Sequence, residues 1–545
     1  MESSHSPRGV VEGFDPPHPG SSQMPRWEAG ELPAAPLFKD RNIAMLIGPG
    51  LVLGASAIGG GEWLTGPTIT AQFGGAMLWL CTLSILGQVI YNIEISRYTL
   101  YTGEPIFTGK FRTMPGPILW VVVYLLLDLG SILPYLASNA AIPAAAMLKG
   151  ELPDTVEDAF LLKFLACGIF LSVFIPLTIG GKIYNSMKVL MTFKLIVVMG
   201  FLMFLALGYS TWDTWYEIFS GFLRFGTIPV TPKVPDQANV ANVFALASSG
   251  ELFSVFNGQN SRMAFDLGVV GFLASMAAIS GNGGLTNTPT SNYTRDQGWG
   301  MGAHVGAIPS IVGGHAIQLS HVGMVFPLNK TSLERWKGWV RHVSREQWCL
   351  WMPACFLGIA LPSMLSVQFL PKGTILSDKW LAAGMTAQGV SDAVGGSWGP
   401  LFWYLTLFCG FLVLGTSMAS TADGVLRRWV DVFWTTLPWL RKWDTRHIGR
   451  LYFGVLCVYL AFGLVMLTLV PGDKLLVAAT GILYNYALGF SCFHVLIVNS
   501  VLLPKELQPG WGRKLCLALA GCFFMAAALI SSYVEVPVLY NMLRG

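Results

Sequence analysis

Gly59-Gly60-Gly61-Glu62-Trp63-Leu64-Thr65-Gly66-Pro67 and Gly281-Asn282-Gly283-Gly284-Leu285-Thr286-Asn287-Thr288-Pro289 each interrupt a long apolar stretch, and they stand about half a chain apart. In hydrocarbon an unsatisfied backbone amide or carbonyl costs several kcal/mol. A helix broken at that depth therefore persists only where the freed groups line a cavity or meet a ligand. Paired interruptions at corresponding positions of two halves point to a binding site near the bilayer midplane. Glycine clusters that merely let helices pack closely are the plainer explanation for one such stretch. Two matched clusters, each with polar residues inside it, favour a site.

Composition places the rest of the chain in a membrane. Of 545 residues, 53% are hydrophobic and 12% charged, and the mean hydropathy is +0.55. That leaves too little polar surface to coat a soluble globule. A net charge of +4 gives no reason to expect a nucleic-acid partner. The nine cysteines lie mostly in apolar runs with no Cys-x-x-Cys pair, which argues against a disulfide framework or a zinc site. Residues 1–36 are rich in Pro, Ser, Gly and His and carry no apolar signal-like core, so they read as a disordered tail.

Eleven apolar segments follow, spans 1 to 11, at roughly 43–73, 76–98, 118–147, 159–178, 187–209, 265–295, 346–370, 398–433, 448–470, 475–503 and 513–533. Each meets the need for about 20 residues to cross a bilayer. With the N-terminus placed in the cytoplasm, the inner segments hold 24 Lys and Arg and the outer ones 8. Cytoplasmic loops are enriched in basic residues, so this asymmetry predicts an N-in, C-out multi-pass protein, expected in the plasma membrane. The segment 210–264 then reads as a long outer loop. Asn329-Lys330-Thr331 has the form of a glycosylation acceptor, but on this topology it faces inward.

Spans 1 and 6 both carry the glycine interruption, and each opens a block of five. An odd number of helices per block forces the second block to be inverted. The chain thus divides into repeat one at about 43–209, repeat two at about 265–503 and an extra helix at about 513–533, all within a transporter domain over 37–545.

The residues Gly48-Pro49-Gly50-Leu51, Gly59 to Trp63, Ala71-Gln72-Phe73-Gly74, Leu78-Trp79 and Tyr101-Thr102-Gly103 resemble the first two helices of the NRAMP metal-ion transporters. Span 8, with Gly415-Thr416-Ser417-Met418-Ala419-Ser420-Thr421, and span 10, with Asn485 in an apolar run, are similar in kind. The resemblance covers about residues 40–533. It implies an all-α polytopic fold of the leucine-transporter type, a 5+5 inverted repeat with broken helices 1 and 6. It also implies ion transport by alternating access, with a divalent metal cation as the family's substrate and protons as candidate coupling ions.

The departures from the family are informative. NRAMP transporters carry Asp-Pro-Gly-Asn in helix 1 and Met-Pro-His in helix 6, which supply a carboxylate, an amide and a thioether to the metal. Here Gly59 stands at the aspartate position, Glu62 at the asparagine position, and Gly281-Asn282-Gly283-Gly284 replaces the Met-Pro-His. Soft sulfur selects late transition metals, and its loss shifts the expectation toward a hard cation held by Glu62, Asn282, Thr286 and backbone carbonyls. The same glycines support a second reading. Restarting helices aim free amides and the positive end of their dipole into the break, a geometry that binds small anions such as bicarbonate or a carboxylate. Glu62 is compatible with an anion if it is protonated and acts in proton coupling.

The expected substrate site therefore comprises Gly59, Gly60, Gly61, Glu62, Gly281, Asn282, Gly283, Gly284, Thr286, Asn287 and Asn485. Glu62 and Asp128 are the proton-coupling candidates, and Glu62 and Asn282 the ligands if the substrate is a cation. Charges inside spans are expensive, so Asp128, Lys194, Asp266, Asp423 and His494 each need a partner or water. Asp423 with Arg427, at i and i+4, and Glu94 with Arg97, at i and i+3, have the spacing of helical ion pairs. Between spans 6 and 7, Trp336, Trp339 and several basic residues predict an interfacial amphipathic helix. A channel and a membrane-embedded enzyme are the remaining classes, although no His-Glu-x-x-His or Gly-x-Ser-x-Gly motif is present. No cofactor is expected. The partners are the small ion, the bilayer and protons.

Overall fold

The computed structural model describes residues 13–36, 54–55, 58–154, 156–178, 183–234, 238–306, 320, 322–374, 382–443, 447–469 and 473–544. Within them, eight helices are long and apolar enough to cross a membrane, or nine if a bent pair counts as one span. The bent pair joins Trp63–Met77 to Trp79–Thr102 at 94°, which separates spans 1 and 2 as the sequence implies. The eight long helices carry spans 3, 4, 5, 7, 8, 9, 10 and 11. Span 6 is divided into Val270–Ile279 and Pro289–Asp296. Most of span 1 before Gly54 lies outside the described residues.

Burial sorts the spans into an inner and an outer set. The apolar windows of spans 7, 8 and 10 are 61% buried, whereas that of span 4 is 22% buried. Large apolar side chains such as Ile118, Val122 and Leu126 of span 3 and Val458 and Leu469 of span 9 stand exposed. In water such a surface would aggregate; in a bilayer it is the lipid-facing coat.

Span 3 is less regular than its composition suggests. Pro134 splits it into Pro117–Ile132 and Tyr135–Lys149, because proline cannot donate to the helical ladder and its ring crowds the preceding turn. Span 7 is longer than expected. The amphipathic helix Lys330–Glu346 runs without interruption into Met352–Phe369, and the pair forms one 40-residue rod. Asn329 caps this rod by accepting from the Ser332 amide at 2.8 Å, so its side chain serves the helix start.

Two expectations are corrected. Residues 13–36 do not form a disordered tail. Strand β1 (Glu28–Ala29) pairs in parallel with a later strand, Met324–Val325. Trp27 and Leu32 are buried, and Arg112 donates to the Pro25 carbonyl at 2.7 Å. The few apolar residues of this segment, spaced among prolines, are enough to seat it on an existing surface, which composition averaged over the whole segment conceals. Nor is 210–264 only a loop. After the helix Trp212–Gly221, the strands β2 (Thr227–Pro232), β3 (Val240–Asn242) and β4 (Met263–Phe265) form a small antiparallel sheet in the order β3-β2-β4. It caps the junction of spans 1 and 2, where Trp79 Nε1 donates to the Thr227 carbonyl at 2.9 Å and Thr82 to the Phe222 carbonyl at 2.7 Å.

Candidate functional site

The two glycine stretches meet. Gly59 and Gly60 from span 1 and Gly281, Asn282 and Thr286 from span 6 face one cavity of ≈ 30 Å³. That is about the room of one water molecule. The wall is completed by Tyr135 and Leu136 just after the break in span 3, by Tyr293 of span 6, by Ser417, Ser420 and Thr421 of span 8 and by Tyr484 of span 10. Ser417, Ser420 and Thr421 follow the i, i+3, i+4 spacing that puts three hydroxyls on one helix face. The described wall offers hydroxyls, an amide and backbone, with no carboxylate and no sulfur. No group of three or more His, Cys, Asp or Glu able to hold a metal ion occurs among the described residues.

The break in span 6 needs left-handed backbone. Gly281 has φ +92° and Gly283 φ +67°, a region that side chains with a Cβ rarely adopt. A Cβ on Gly283 would also lie 2.2 Å from the Ala278 carbonyl oxygen. Unwinding frees amides and carbonyls, and the protein itself satisfies many of them. Gln88 of span 2 accepts from the amides of Asn282 at 3.1 Å and Gly283 at 3.3 Å and from the Asn287 side chain at 2.8 Å. Its own amide donates to the Ser280 carbonyl at 2.6 Å. The Thr286 hydroxyl donates to the carbonyls of Asn282 and Gly283. Arg428 of span 8 donates to the Leu285 carbonyl at 3.0 Å.

A cation likewise meets the break in span 1. The Lys194 ammonium, fully buried in span 5, donates to the Ile58 carbonyl at 2.9 Å and to the Ser417 hydroxyl at 2.9 Å. Ser417 lines the cavity, so a positive charge stands directly behind its wall. Lys194 and Arg428 thus each donate to a carbonyl beside a break, Ile58 and Leu285, neither of which is on the described cavity wall.

Several expected site residues lie elsewhere. Asn485 faces span 6, donating to the Ala274 carbonyl at 2.9 Å and to Gly481 in its own helix at 3.0 Å, while its neighbour Tyr484 takes the place on the wall. Asn287 is buried behind the break on Gln88. Gly283 and Gly284 pack on the Tyr484 ring rather than lining the cavity. Gly61 and Glu62 begin a wide helical turn, Gly61–Thr65, and the Glu62 side chain lies outside what the structure describes. The expectation of free amides aimed at a ligand is corrected by Gln88, which holds two of them.

Asp128 is held in a buried ion pair. Arg428 binds it at 2.7 and 3.2 Å, and Trp429 Nε1 donates to it at 2.8 Å. His494 bridges Thr113 and Tyr124, each at 2.8 Å, and Asp266 caps the start of span 6 through the Gly268 amide. The helical ion pairs form as their spacing implies, Arg97 with Glu94 at 2.7 Å and Arg427 with Asp423 at 2.8 Å. The second pair belongs to a larger network in which Arg427 also meets Asp296, and Arg295 meets Asp431 at 2.8 Å. These buried contacts lock the second half of span 6 to span 8 on one side of the cavity.

Sequence reasoning missed Gln88, Arg428 and the tyrosine wall. Pro134 inside an apolar run was the one local signal that Tyr135 and Leu136 would stand at a break.

No protein-family model matches the chain, and no curated relative matches it. Among solved structures, the manganese transporter of Eremococcus coleocola in complex with an aromatic bis-isothiourea substituted compound aligns with a TM-score of 0.56 at 12% identity, covering 94% of this chain and 95% of that one. A single-residue variant of that transporter aligns equally, with TM-score 0.56 and 12% identity over 93% and 95% of the two chains. The chain therefore has an NRAMP-like fold with broken helices, shared at 12% sequence identity.

Proposed function

We propose that the chain is a secondary active transporter that carries a small anion by alternating access, with the cavity between the breaks of spans 1 and 6 as its substrate site. The observation that carries this reading is the wall itself. Seven hydroxyl-bearing residues stand on its described lining, Tyr135, Thr286, Tyr293, Ser417, Ser420, Thr421 and Tyr484; Thr286 donates to break carbonyls and Tyr293 to Asp423, and Lys194 bonds Ser417 from behind the wall. The Ile58 and Leu285 carbonyls beside the breaks are bonded to Lys194 and Arg428, which brings two basic side chains close to the site. The remaining wall hydroxyls can present their protons to a negative guest, and the described wall carries no carboxylate to oppose one. The fold supports transport, since broken helices at a central cavity are the architecture of alternating access. The Asp296–Arg427–Asp423 and Arg295–Asp431 contacts would close one face and release on opening.

A divalent metal is the second reading, favoured by the likeness to a solved manganese transporter. It requires the Glu62 carboxylate, with Asn282 and remaining oxygens, to outweigh the positive charges nearby. Glu62 is also the carboxyl candidate for proton coupling; Asp128 is assigned to structure through Arg428. We place the N-terminus in the cytoplasm and the C-terminus outside, from the distribution of basic residues.

The test is uptake into proteoliposomes of bicarbonate, Mn²⁺ and Mg²⁺ side by side under a pH gradient. Saturable bicarbonate uptake without metal uptake is expected. Saturable metal uptake lost in Glu62→Gln would overturn the anion reading in favour of the second.

A further inference from the structure

A second cavity, of ≈ 440 Å³, lies away from the transport site, where three span ends converge. It is lined by Leu333, Trp336, Lys337, Val340, Arg341 and Ser344 of the amphipathic helix, by Arg97 at the end of span 2, by Glu506 and by Arg513 in the first turn of span 11. Helices that enter the membrane at this level place the cavity at the boundary between hydrocarbon and headgroups. Trp348 and Trp511, 39% and 76% exposed, stand near the start of spans 7 and 11, as aromatic residues do at that boundary.

The lining has one stripe with two chemistries. Leu333, Trp336, Val340 and Ser344 recur at helical spacing with Lys337 and Arg341 beside them, so apolar and cationic groups share one face. Arg97 is already engaged, bonded to Glu94 and the Leu507 carbonyl and set 6.0 Å from the Trp336 ring. Lys337 and Arg341 are exposed, and Arg513 has only a long 3.7 Å contact to Glu94. Glu506 is the single acid on the wall. The Ser344 hydroxyl is buried with no hydrogen-bond partner among the described residues. Three cations and a single acid on one wall favour a phosphate, and the Ser344 hydroxyl, buried beneath that wall, gains a partner by turning toward it.

The geometry points to a binding site for the headgroup of an anionic phospholipid from the leaflet on the Lys- and Arg-rich side. The phosphate sits among Lys337, Arg341, Arg513 and Ser344, and the glycerol and first acyl carbons lie along Leu333, Trp336 and Val340. The apolar half of the stripe and the depth of the site select a lipid over a free phosphate. Basic pockets between span ends on that side hold acidic headgroups in this way. A lipid bound there ties the rod of span 7 to span 11 and is placed to influence how far that rod moves during transport.

The test is native mass spectrometry of the delipidated full chain titrated with phosphatidylglycerol or phosphatidylcholine. The protein is compared with K337A/R341A/R513A, with S344A and with R224A/K372A as a control on another basic surface. Phosphatidylglycerol adducts are expected to exceed phosphatidylcholine adducts and to weaken about fivefold per cation removed. S344A is expected to weaken them by a smaller factor, and the control to leave them unchanged. Equal binding of the two lipids, or equal retention by the triple variant, overturns the site. Competition by inorganic phosphate in detergent, with no preference for phosphatidylglycerol, overturns the lipid assignment in favour of a soluble phosphate ligand. None of these readouts depends on which ion is transported.

Discussion

Lys194 and Asp128 are both single charges in apolar spans, of which the sequence singles out Asp128 as a proton-coupling candidate, and their partners give them different work. Lys194 bonds a cavity-lining serine and a break carbonyl. Lys194→Met is therefore expected to lower anion uptake about tenfold or more, the scale of one lost charge-assisted hydrogen bond, in the proteoliposome assay. Asp128 is matched by Arg428 and Trp429 and is fully buried. Asp128→Asn leaves Arg428 uncompensated and is expected to cost about 3 kcal/mol, read as a lower melting temperature in detergent. The pH dependence of uptake per folded molecule should stay the same; a changed dependence would return Asp128 to the proton path.

At the scale of the element, the break in span 6 is a built structure supported from outside. Gly283 adopts φ +67° and sits against the Ala278 carbonyl, so Gly283→Ala is expected to destabilise by about 2 kcal/mol or more and to abolish uptake. Gln88→Leu removes the acceptor of two break amides and the donor to Ser280. Each buried group left unsatisfied costs about 1–3 kcal/mol. Hydrogen exchange at residues 280–288 is expected to rise in Gln88→Leu more than elsewhere in the chain, and unchanged protection there would show that the break stands without it. The glycines were legible because no other residue suits that backbone. Gln88 was not, because a glutamine in an apolar helix carries no sign of the carbonyls it will face.

The whole molecule is joined on its Lys- and Arg-rich side by a buried lysine in the connecting helix Ile106–Arg112. Lys110 donates to Ser491 of span 10 and to Tyr91 of span 2 at 3.4 Å, and its ammonium faces the Tyr124 ring of span 3 at 4.9 Å. Burial pushes its pKa down to about 7. The unfolded chain keeps the lysine charged to about pH 10.4. Between these values the native state holds fewer protons, so stability rises as pH increases from about 7; below that the cost of the buried charge is fully present. The melting temperature of the protein is expected to climb between pH 7 and 9 and that of Lys110→Met to climb less. Parallel curves would remove Lys110 from this role. At the same scale, a C-terminal tag is expected to react with an impermeant label from outside intact cells, as the 24 to 8 division of basic residues requires.

The sequence by itself determined that the chain crosses a membrane many times and that spans 1 and 6 are interrupted at glycine. Hydrophobic runs, glycine and proline act locally, through the cost of exposed backbone in lipid and through the φ angles a side chain allows. The helical ion pairs were readable for the same reason, since their partners are one turn apart. Only the tertiary structure decided which groups meet the freed backbone. Gln88, Lys194 and Arg428 come from spans 2, 5 and 8, and Tyr135 and Tyr484 reach the cavity from spans 3 and 10, with Ser417 again from span 8. It also seated residues 13–36 on the folded protein and made a sheet of the segment before span 6. The charge at the cavity wall, and with it the proposed sign of the transported ion, depends on contacts more than 100 residues apart, such as Lys194 with Ile58 and Ser417. No local pattern carries those contacts, because they depend on how whole helices are placed beside one another.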